Sequence, residues 1–151
     1  MDKRFSPINA MIQAHIHATE DEEKVLEAIR NILGGDIDFD LKREEFTGHH
    51  GNPIIRLEIS IKNKKFVKKV FENIFTKMSG FLEDQWIIDR FDKRSKKLYL
   101  RLDKQKAFLG ETKLGYGDDV IRVIFTFPRY MRIEPEELEN YINNLRKGPS
   151  E

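Results

Sequence analysis

The chain has 151 residues, a length that predicts one domain with a core of its own. It has no cysteine, which excludes disulfides and thiolate metal sites, and no apolar run approaches the roughly 18 residues that span a membrane. The net charge of +1 conceals a basic middle, because residues 62–106 hold 14 Lys and Arg against 6 Asp and Glu and lie between acidic flanks.

The chain opens with a predicted tail, a strand and a helix. We expect residues 1–10 to form a flexible tail, and they lack the apolar stretch of a secretory signal, which favours a cytoplasmic protein. Apolar and polar residues alternate over 11–18, which predicts a strand. Thr19 and Glu22 fit a capping box, and we expect them to begin an acidic helix that ends at Gly34.

Two alternating segments around a glycine-rich turn predict a hairpin. The first segment covers residues 37–42 and the second covers residues 55–61. Residues 48–53, with the sequence GHHGNP, supply the turn chemistry between them.

The second predicted helix, from residue 64 to about residue 78, begins with a cluster of lysines. Because a helix N-terminus carries roughly half a positive charge, each exposed cation there costs about 0.3–1 kcal/mol. A bound phosphate would compensate this cost. The alternative is a solvated face near the carboxylates of a neighbouring element. The cluster consists of Lys62, Lys64, Lys65, Lys68 and Lys69. The face that we expect to be buried carries Val67, Val70, Phe71, Ile74 and Phe75.

A basic stretch and two further strands follow this helix. Alternation over 98–102 and 121–127 predicts the strands, and Pro135 opens a final helix. Aromatic and arginine side chains on a sheet can stack on bases, and nearby cations can bind phosphates, so this stretch adds candidate RNA contacts. These candidates are Arg90, Lys93, Arg94, Lys96, Lys97, Tyr99 and Arg101.

The order of elements predicts an α+β fold, in which an antiparallel sheet carries helices packed on one face. We expect a single domain over residues 11–147 and a C-terminal tail over residues 148–151. The uncovered face would be polar, basic and partly aromatic, which suits either RNA or a homodimer interface. That face collects Gln13, His15, His17, Arg56, Ser60, Tyr99, Arg101 and Arg122.

The sequence carries no strong signal for a metal, a cofactor or catalysis. Phosphate-binding loops, nucleophile elbows and zincin motifs are absent from it. Its histidines would bind zinc only if the fold gathered them, and Asp103, Asp118 and Asp119 would hold a metal only if they met. We therefore expect a protein that is not an enzyme and needs no cofactor. The histidines are His15, His17, His49 and His50.

Four motifs carry a family resemblance across most of residues 12–127. They are HATEDEEKV at 17–25, GHHGNPI at 48–54, LYLRLDKQ at 98–105 and GDDVI at 117–121. In this order they resemble an archaeal family described as predicted RNA-binding proteins and sometimes as exosome-associated proteins. The resemblance implies a fold similar to that of the ribosomal protein that binds 5S rRNA, and it supplies no catalytic residues.

These patterns together predict a non-enzymatic RNA-binding protein with no membrane partner, and the resemblance implies a link to RNA processing. Its lysine-rich helix and basic loop would contact phosphates, and the sheet face would contact bases. The alternative is a homodimeric structural or adaptor protein of an RNA-processing assembly, without direct RNA contact. Cations gathered on one surface would favour the first interpretation, and a two-fold packed apolar sheet face would favour the second.

Overall fold

The computed structural model describes residues 3–147, and it confirms the α+β fold predicted from the sequence. These residues form six strands, four α-helices and two short 3-10 turns, Lys3–Phe5 and Ile88–Arg90. The strands are β1 (Asn9–His17), β2 (Asp40–Thr47), β3 (Pro53–Ile61), β4 (Phe91–Asp92), β5 (Lys97–Asp103) and β6 (Val120–Thr126). The helices are α1 (Glu22–Leu33), α2 (Lys64–Lys77), α3 (Lys104–Phe108) and α4 (Pro135–Arg146).

The strands form one antiparallel sheet in the order β2-β3-β1-β6-β5-β4. β1 is an inner strand, in which Ile12 lies opposite Ile59 of β3 on one side and opposite Val123 of β6 on the other. Because side chains alternate across a strand, every second residue of β1 points to the same face. The buried residues of this strand are Ala10, Ile12, Ala14 and Ile16.

The helices cover the face of the sheet to which these buried residues point. The ring of Phe71 in α2 lies 5.1 Å from that of Phe125 in β6 and 4.7 Å from that of Phe75. The predicted buried face of α2 is confirmed residue by residue, because helical spacing alone defines it. α4 packs beside α2 and buries Leu138 and Ile142.

The start of α1 differs from the prediction, because Asp21 rather than Thr19 caps this helix. The Asp21 carboxylate accepts a hydrogen bond from the backbone N–H of Glu23 at 2.9 Å. The preceding Glu20 instead accepts from the backbone N–H of His17 at 3.0 Å, which closes a turn between β1 and the helix. The predicted capping box is therefore wrong, although an oxygen-bearing cap is present two residues later.

The expected loose N-terminus is wrong for the part of it that is described. Phe5 is only 4% exposed, and its ring stacks on that of Tyr141 at 4.9 Å. The backbone N–H of Ile8 donates to the carbonyl of Thr126 at 2.8 Å, which leads into β1 at residue 9. The hairpin strand expected from residue 37 begins at Asp40. Residues 1–2 and the predicted tail at 148–151 lie outside the described residues.

None of the helices within residues 3–147 has the length and apolar character needed to cross a membrane.

Candidate nucleic-acid interface

The face of the sheet opposite the helices, here called the open face, differs between its two halves. On β2 and β3 the charges neutralise one another, since Glu44 pairs with Arg56 at 2.8 Å and with Lys42 at 2.9 Å. On β5 and β6 the charged side chains are cations, except for Asp103 at the end of β5. These cations are Lys97, Arg101 and Arg122.

Arg101 and Arg122 lie directly opposite each other on neighbouring strands. Such side chains leave a sheet about 5 Å apart, so like charges there repel. Arg101 donates to the carbonyl of Gly117 at 2.7 Å, but within residues 3–147 neither guanidinium has a carboxylate at ion-pair distance. Gln13 continues the row on β1, and its amide already donates to Glu58 at 3.0 Å. The arginine pair is therefore a group of positive charge that forms no ion pair within residues 3–147.

An apolar row runs beside the arginine pair. Tyr99 lies opposite Ile124, which in turn lies opposite Met11. Tyr99 is 43% exposed, and the other two side chains are half-buried. An exposed aromatic ring next to arginines on a sheet face is the arrangement on which single-stranded bases stack in many RNA-binding domains.

His15 lies on the same face, between the two halves. Burial, followed by the positive charges of Arg122 and Arg56, lowers the pKa of His15 below its ordinary value. The imidazole is therefore neutral at neutral pH and adds no charge to the open face. Its ring meets the ring of Phe46 edge to face at 6.3 Å.

The predicted lysine cluster does not share one surface with Tyr99 and Arg101. α2 packs on the covered face of the sheet, so its exposed lysines lie in the helical layer, on the other side of the molecule from the open face. These lysines are Lys64, Lys65, Lys68 and Lys69. Lys62 follows the end of β3 and Lys97 begins β5, so both lie at the end of the sheet where α2 begins.

Local contacts relieve part of the positive charge at the start of α2. Asn63 caps the helix by accepting from the backbone N–H groups of Lys65 and Phe66, at 2.9 and 3.4 Å. Lys68 lies 4.0 Å from Glu72, and the ammonium of Lys69 lies 5.8 Å from the centre of the Phe66 ring. Among the described residues, Lys68 and Lys69 therefore have partners within α2, whereas the side chains of Lys64 and Lys65 have no ion pair, and phosphate binding at this end of the helix stays a prediction.

The predicted basic loop is mostly committed to internal contacts. Arg90 donates to the main chain of its own turn at 2.8 Å, and Lys93 pairs with Glu134 at 2.9 Å. Lys96 donates to two carbonyls of the segment that follows β6. Arg94 is exposed, its backbone N–H donates to Asp92 at 3.0 Å, and its guanidinium has no hydrogen-bond or ion-pair partner within residues 3–147. These partners argue against phosphate binding by the loop, except at Arg94.

A cleft of about 550 Å³ lies at the opposite end of the sheet from Lys97. The β2–β3 turn forms one wall, where the N–H of Gly48 donates to the carbonyl of Asn52 at 2.7 Å and Gly51 has a φ of +82°. A Cβ atom on Gly48 would lie 2.7 Å from the side chain of Ile54. The absence of a side chain at Gly48 therefore allows the turn to pack against β3. The polar lining residues are His17, Thr19, His49, His50, Asn52 and Asp118.

This cleft gathers three of the four motifs found in the sequence, and the fourth supplies Lys104 nearby. Lys104 is 3% exposed, and its ammonium donates to the carbonyl of His15 at 2.8 Å. It also contacts Glu20 at 3.1 Å and Asp119 at 3.2 Å, which satisfies its three donors. Burial acts to raise the pKa of Asp119, but hydrogen bonds from Gln105 and Lys104 outweigh it and hold that pKa below its usual value. Lys104 thus fastens the loop before β6 to β1.

The histidines are distributed between two places. His49 and His50, with ring centres 5.2 Å apart, line the cleft together with His17, whereas His15 is on the open face. In the described part of the chain, no three His, Asp or Glu side chains are placed so that they could hold a metal ion.

Arg122 and the cleft are the features that the sequence analysis missed. Alternation assigned Arg122 to the polar face, but only the pairing of β5 with β6 places it opposite Arg101. The cleft likewise depends on two turns and Asp118 meeting in space, and the sequence motifs supply its parts without showing that they are adjacent.

Comparison with known proteins agrees with this architecture. A family model described as RNA binding matches residues 9–127. The chain is 37% identical over 135 residues to an uncharacterized protein of Methanocaldococcus jannaschii, over 83% of this chain and 88% of that one. It is 38% identical over 123 residues to RNA-binding protein PAB1135 of Pyrococcus abyssi, over 76% of this chain and 78% of that one.

A solved structure extends the comparison to the fold. Mth689, a DUF54 protein from Methanothermobacter thermautotrophicus, has a TM-score of 0.67 and 31% sequence identity, over 93% of this chain and 96% of that one. The family match spans β1 to β6, and both sequence relatives are archaeal. The chain therefore belongs to the RNA-binding, DUF54 family.

Proposed function

We propose that this protein binds single-stranded RNA on the open face of its sheet, without catalysing a reaction. The observation that carries the proposal is the arginine pair, in which Arg101 and Arg122 face each other without a carboxylate partner within residues 3–147. Like charges on residues directly opposite each other in a sheet, whose Cβ atoms are about 5 Å apart, cost stability unless an anion neutralises them. A phosphate accepts hydrogen bonds from both guanidinium groups, which removes the repulsion.

The neighbouring residues suit the rest of an RNA strand. Tyr99 presents an exposed ring one row away, where a base can stack. Lys97 and Lys62 lie at the end of the sheet beyond that ring, where further phosphates would pass. Lys64 and Lys65 are next to this end but in the helical layer, so we assign them a secondary role in steering RNA.

The test is RNA binding by a double variant, Arg101→Ala with Arg122→Ala, measured by fluorescence anisotropy over a series of salt concentrations. We expect affinity for single-stranded RNA to fall at least about tenfold, or ~1.4 kcal/mol. If each arginine binds one phosphate, the slope of log affinity against log salt should flatten by roughly 1.4, since single strands release about 0.7 counterion per contact.

The matched control is Arg30→Ala with Lys77→Ala, which removes the same charge from exposed positions on α1 and α2. This control should lose much less affinity than the arginine variant. Equal losses in both double variants would overturn the open-face site, because only total charge would then matter. Circular dichroism checks that both variants keep the fold.

A second candidate function has support from the free edge of β2. Leu41 is 50% exposed, Phe39 just before the strand is 41% exposed, and Phe46 at the far end of the strand, on its other face, is 42% exposed. Exposed apolar side chains on an unpaired strand suit a homodimer or an adaptor in an RNA-processing assembly. Light scattering of Leu41→Lys tests it, because a change from a larger to a smaller species would favour self-association through this edge. A monomer in both proteins would remove this candidate.

A further inference from the structure

The cleft at the end of the sheet has groups that phosphate binding on the open face does not use. Its volume of about 550 Å³ lies within the usual range of small-molecule sites. Ala18, Pro53 and Ile54 supply an apolar part of its lining. The cleft is therefore large enough, and apolar enough, to accept a planar base.

Imidazole rings provide surfaces for such a base. His17 and His50 are exposed and line the cleft. The rings of His49 and His50 meet at 80°, so their faces are not stacked on each other. Histidine rings are among the side chains on which unpaired RNA bases stack.

Asp118 provides the hydrogen-bonding group. It is exposed, and its carboxylate has no hydrogen bond or ion pair within residues 3–147, whereas its neighbour Asp119 is fastened by Lys104. A carboxylate repels phosphate, so a free one beside two arginines points to contact with a base instead. An ionised carboxylate only accepts hydrogen bonds, and guanine offers two adjacent donors, N1–H and N2–H, on its pairing edge.

The cleft continues directly from the arginine pair. Arg101 donates to the carbonyl of Gly117, the residue before Asp118. Asp118 also borders a small depression lined by Gln13, His15 and Arg122. We propose, on the basis of the proposed function, that the cleft holds one unpaired guanine of the RNA strand whose phosphate lies on the arginine pair.

The first experiment compares a short oligouridylate with the same strand carrying one central guanosine. The guanosine strand should bind about tenfold more tightly, as a bidentate contact to a base edge provides. Asp118→Asn should abolish this preference, because the amide places a donor against a guanine donor. The control Asp84→Asn removes an exposed carboxylate outside the cleft and should keep the preference.

A second experiment separates the cleft from the open face. Guanosine monophosphate, observed by NMR, should shift the imidazole signals of His17 and His50 in the native protein and in the Arg101→Ala, Arg122→Ala variant. Uridine monophosphate should shift them less. Unmoved signals and equal binding of the two strands would overturn the guanine site while RNA binding stands. Shifted signals in a protein that binds neither strand would support the cleft and reject the open-face proposal.

Discussion

The lysine-rich start of α2 and the arginine pair on β5 and β6 are both groups of like charge, but only one of them is relieved within the fold. At α2, Asn63 satisfies the first N–H groups and Glu72 approaches a lysine. On the sheet, pairing between the strands places Arg101 opposite Arg122, and among the described residues no carboxylate lies within ion-pair distance of either guanidinium. The density of charge along a sequence is therefore a poorer guide to a binding site than the rigidity with which the fold holds a few charges.

A third site, Lys104, shows how a cation with a structural role differs from both groups. Its replacement should lower the stability of the fold more than any other change proposed here. Lys104→Met would remove the buried ammonium that Glu20, Asp119 and the carbonyl of His15 share, while water still reaches both carboxylates, since the Asp119 side chain is 54% exposed. We expect the free energy of unfolding, from urea titration, to fall by about 2 kcal/mol, less than for a fully buried ion pair.

Two other variants sharpen that result. Lys106→Met, on the same short helix but with a distant partner at 3.9 Å, should stay within about 0.5 kcal/mol of the native protein. The Arg101→Ala, Arg122→Ala variant should be as stable as the native protein or more stable, since repulsion is removed. Comparable losses in the free energy of unfolding in all three variants would mean that these cations do not differ in role.

The next effect concerns Tyr99 on the open face. Tyr99→Ala should weaken RNA binding by about 1–3 kcal/mol, the usual contribution of one stacked base. Phe81→Ala is the control, because Phe81 is 89% exposed and lies outside the sheet. Light scattering should give the same mass with and without the change. A smaller mass in Tyr99→Ala would instead assign this ring to a dimer interface.

A smaller effect is expected at the start of α2. Lys64→Ala with Lys65→Ala should flatten the salt dependence by less than about 0.7, that is, by less than one phosphate contact. Stability should hold or rise by up to about 1 kcal/mol, because cations leave the positive end of a helix whose Asn63 cap is retained. If this variant flattened the salt dependence more than the Arg101→Ala, Arg122→Ala variant does, α2 would be the principal RNA-binding site, as the sequence predicted.

The smallest effect is a dependence of stability on pH. Because burial and the charges of Arg122 and Arg56 lower the folded-state pKa of His15, the unfolded chain takes up this proton first as pH falls. Stability should therefore decrease as pH drops below about 6.5, the ordinary histidine value, until the folded-state pKa is passed. His15→Gln should make melting temperature less dependent on pH over this window. An unchanged profile in that variant would contradict the assignment.

Local patterns were sufficient to predict most of the fold. The buried face of α2 follows from helical spacing, and the strand alternation placed Tyr99 and Arg101 on one face. The cap of α1 was misplaced because Thr19 and Asp21 both carry suitable oxygens, and only the backbone conformation at Asp21 decides between them. Such choices depend on tertiary contacts and not on residue preference.

The candidate site could be predicted only in part, because it depends on pairing between distant segments. Arg101 and Arg122 meet through the register of β5 and β6, and Asp118 meets the β2–β3 turn at the end of β1. Lysines adjacent in sequence are visible at once, whereas these contacts appear only when the strand order is known.

The inner position of β1 also has a consequence for how the chain folds. β1 is complete by residue 17, yet its β6 partner includes Thr126, which pairs with Asn9 more than 100 residues away. At synthesis rates of 5–20 residues per second, the hydrogen-bonding edge of β1 that faces β6 would stay unpaired for roughly 5–20 s. Folding is therefore expected to finish late and slowly, as in other folds rich in distant contacts. A chain that ends before residue 120 would retain an open inner edge and should aggregate.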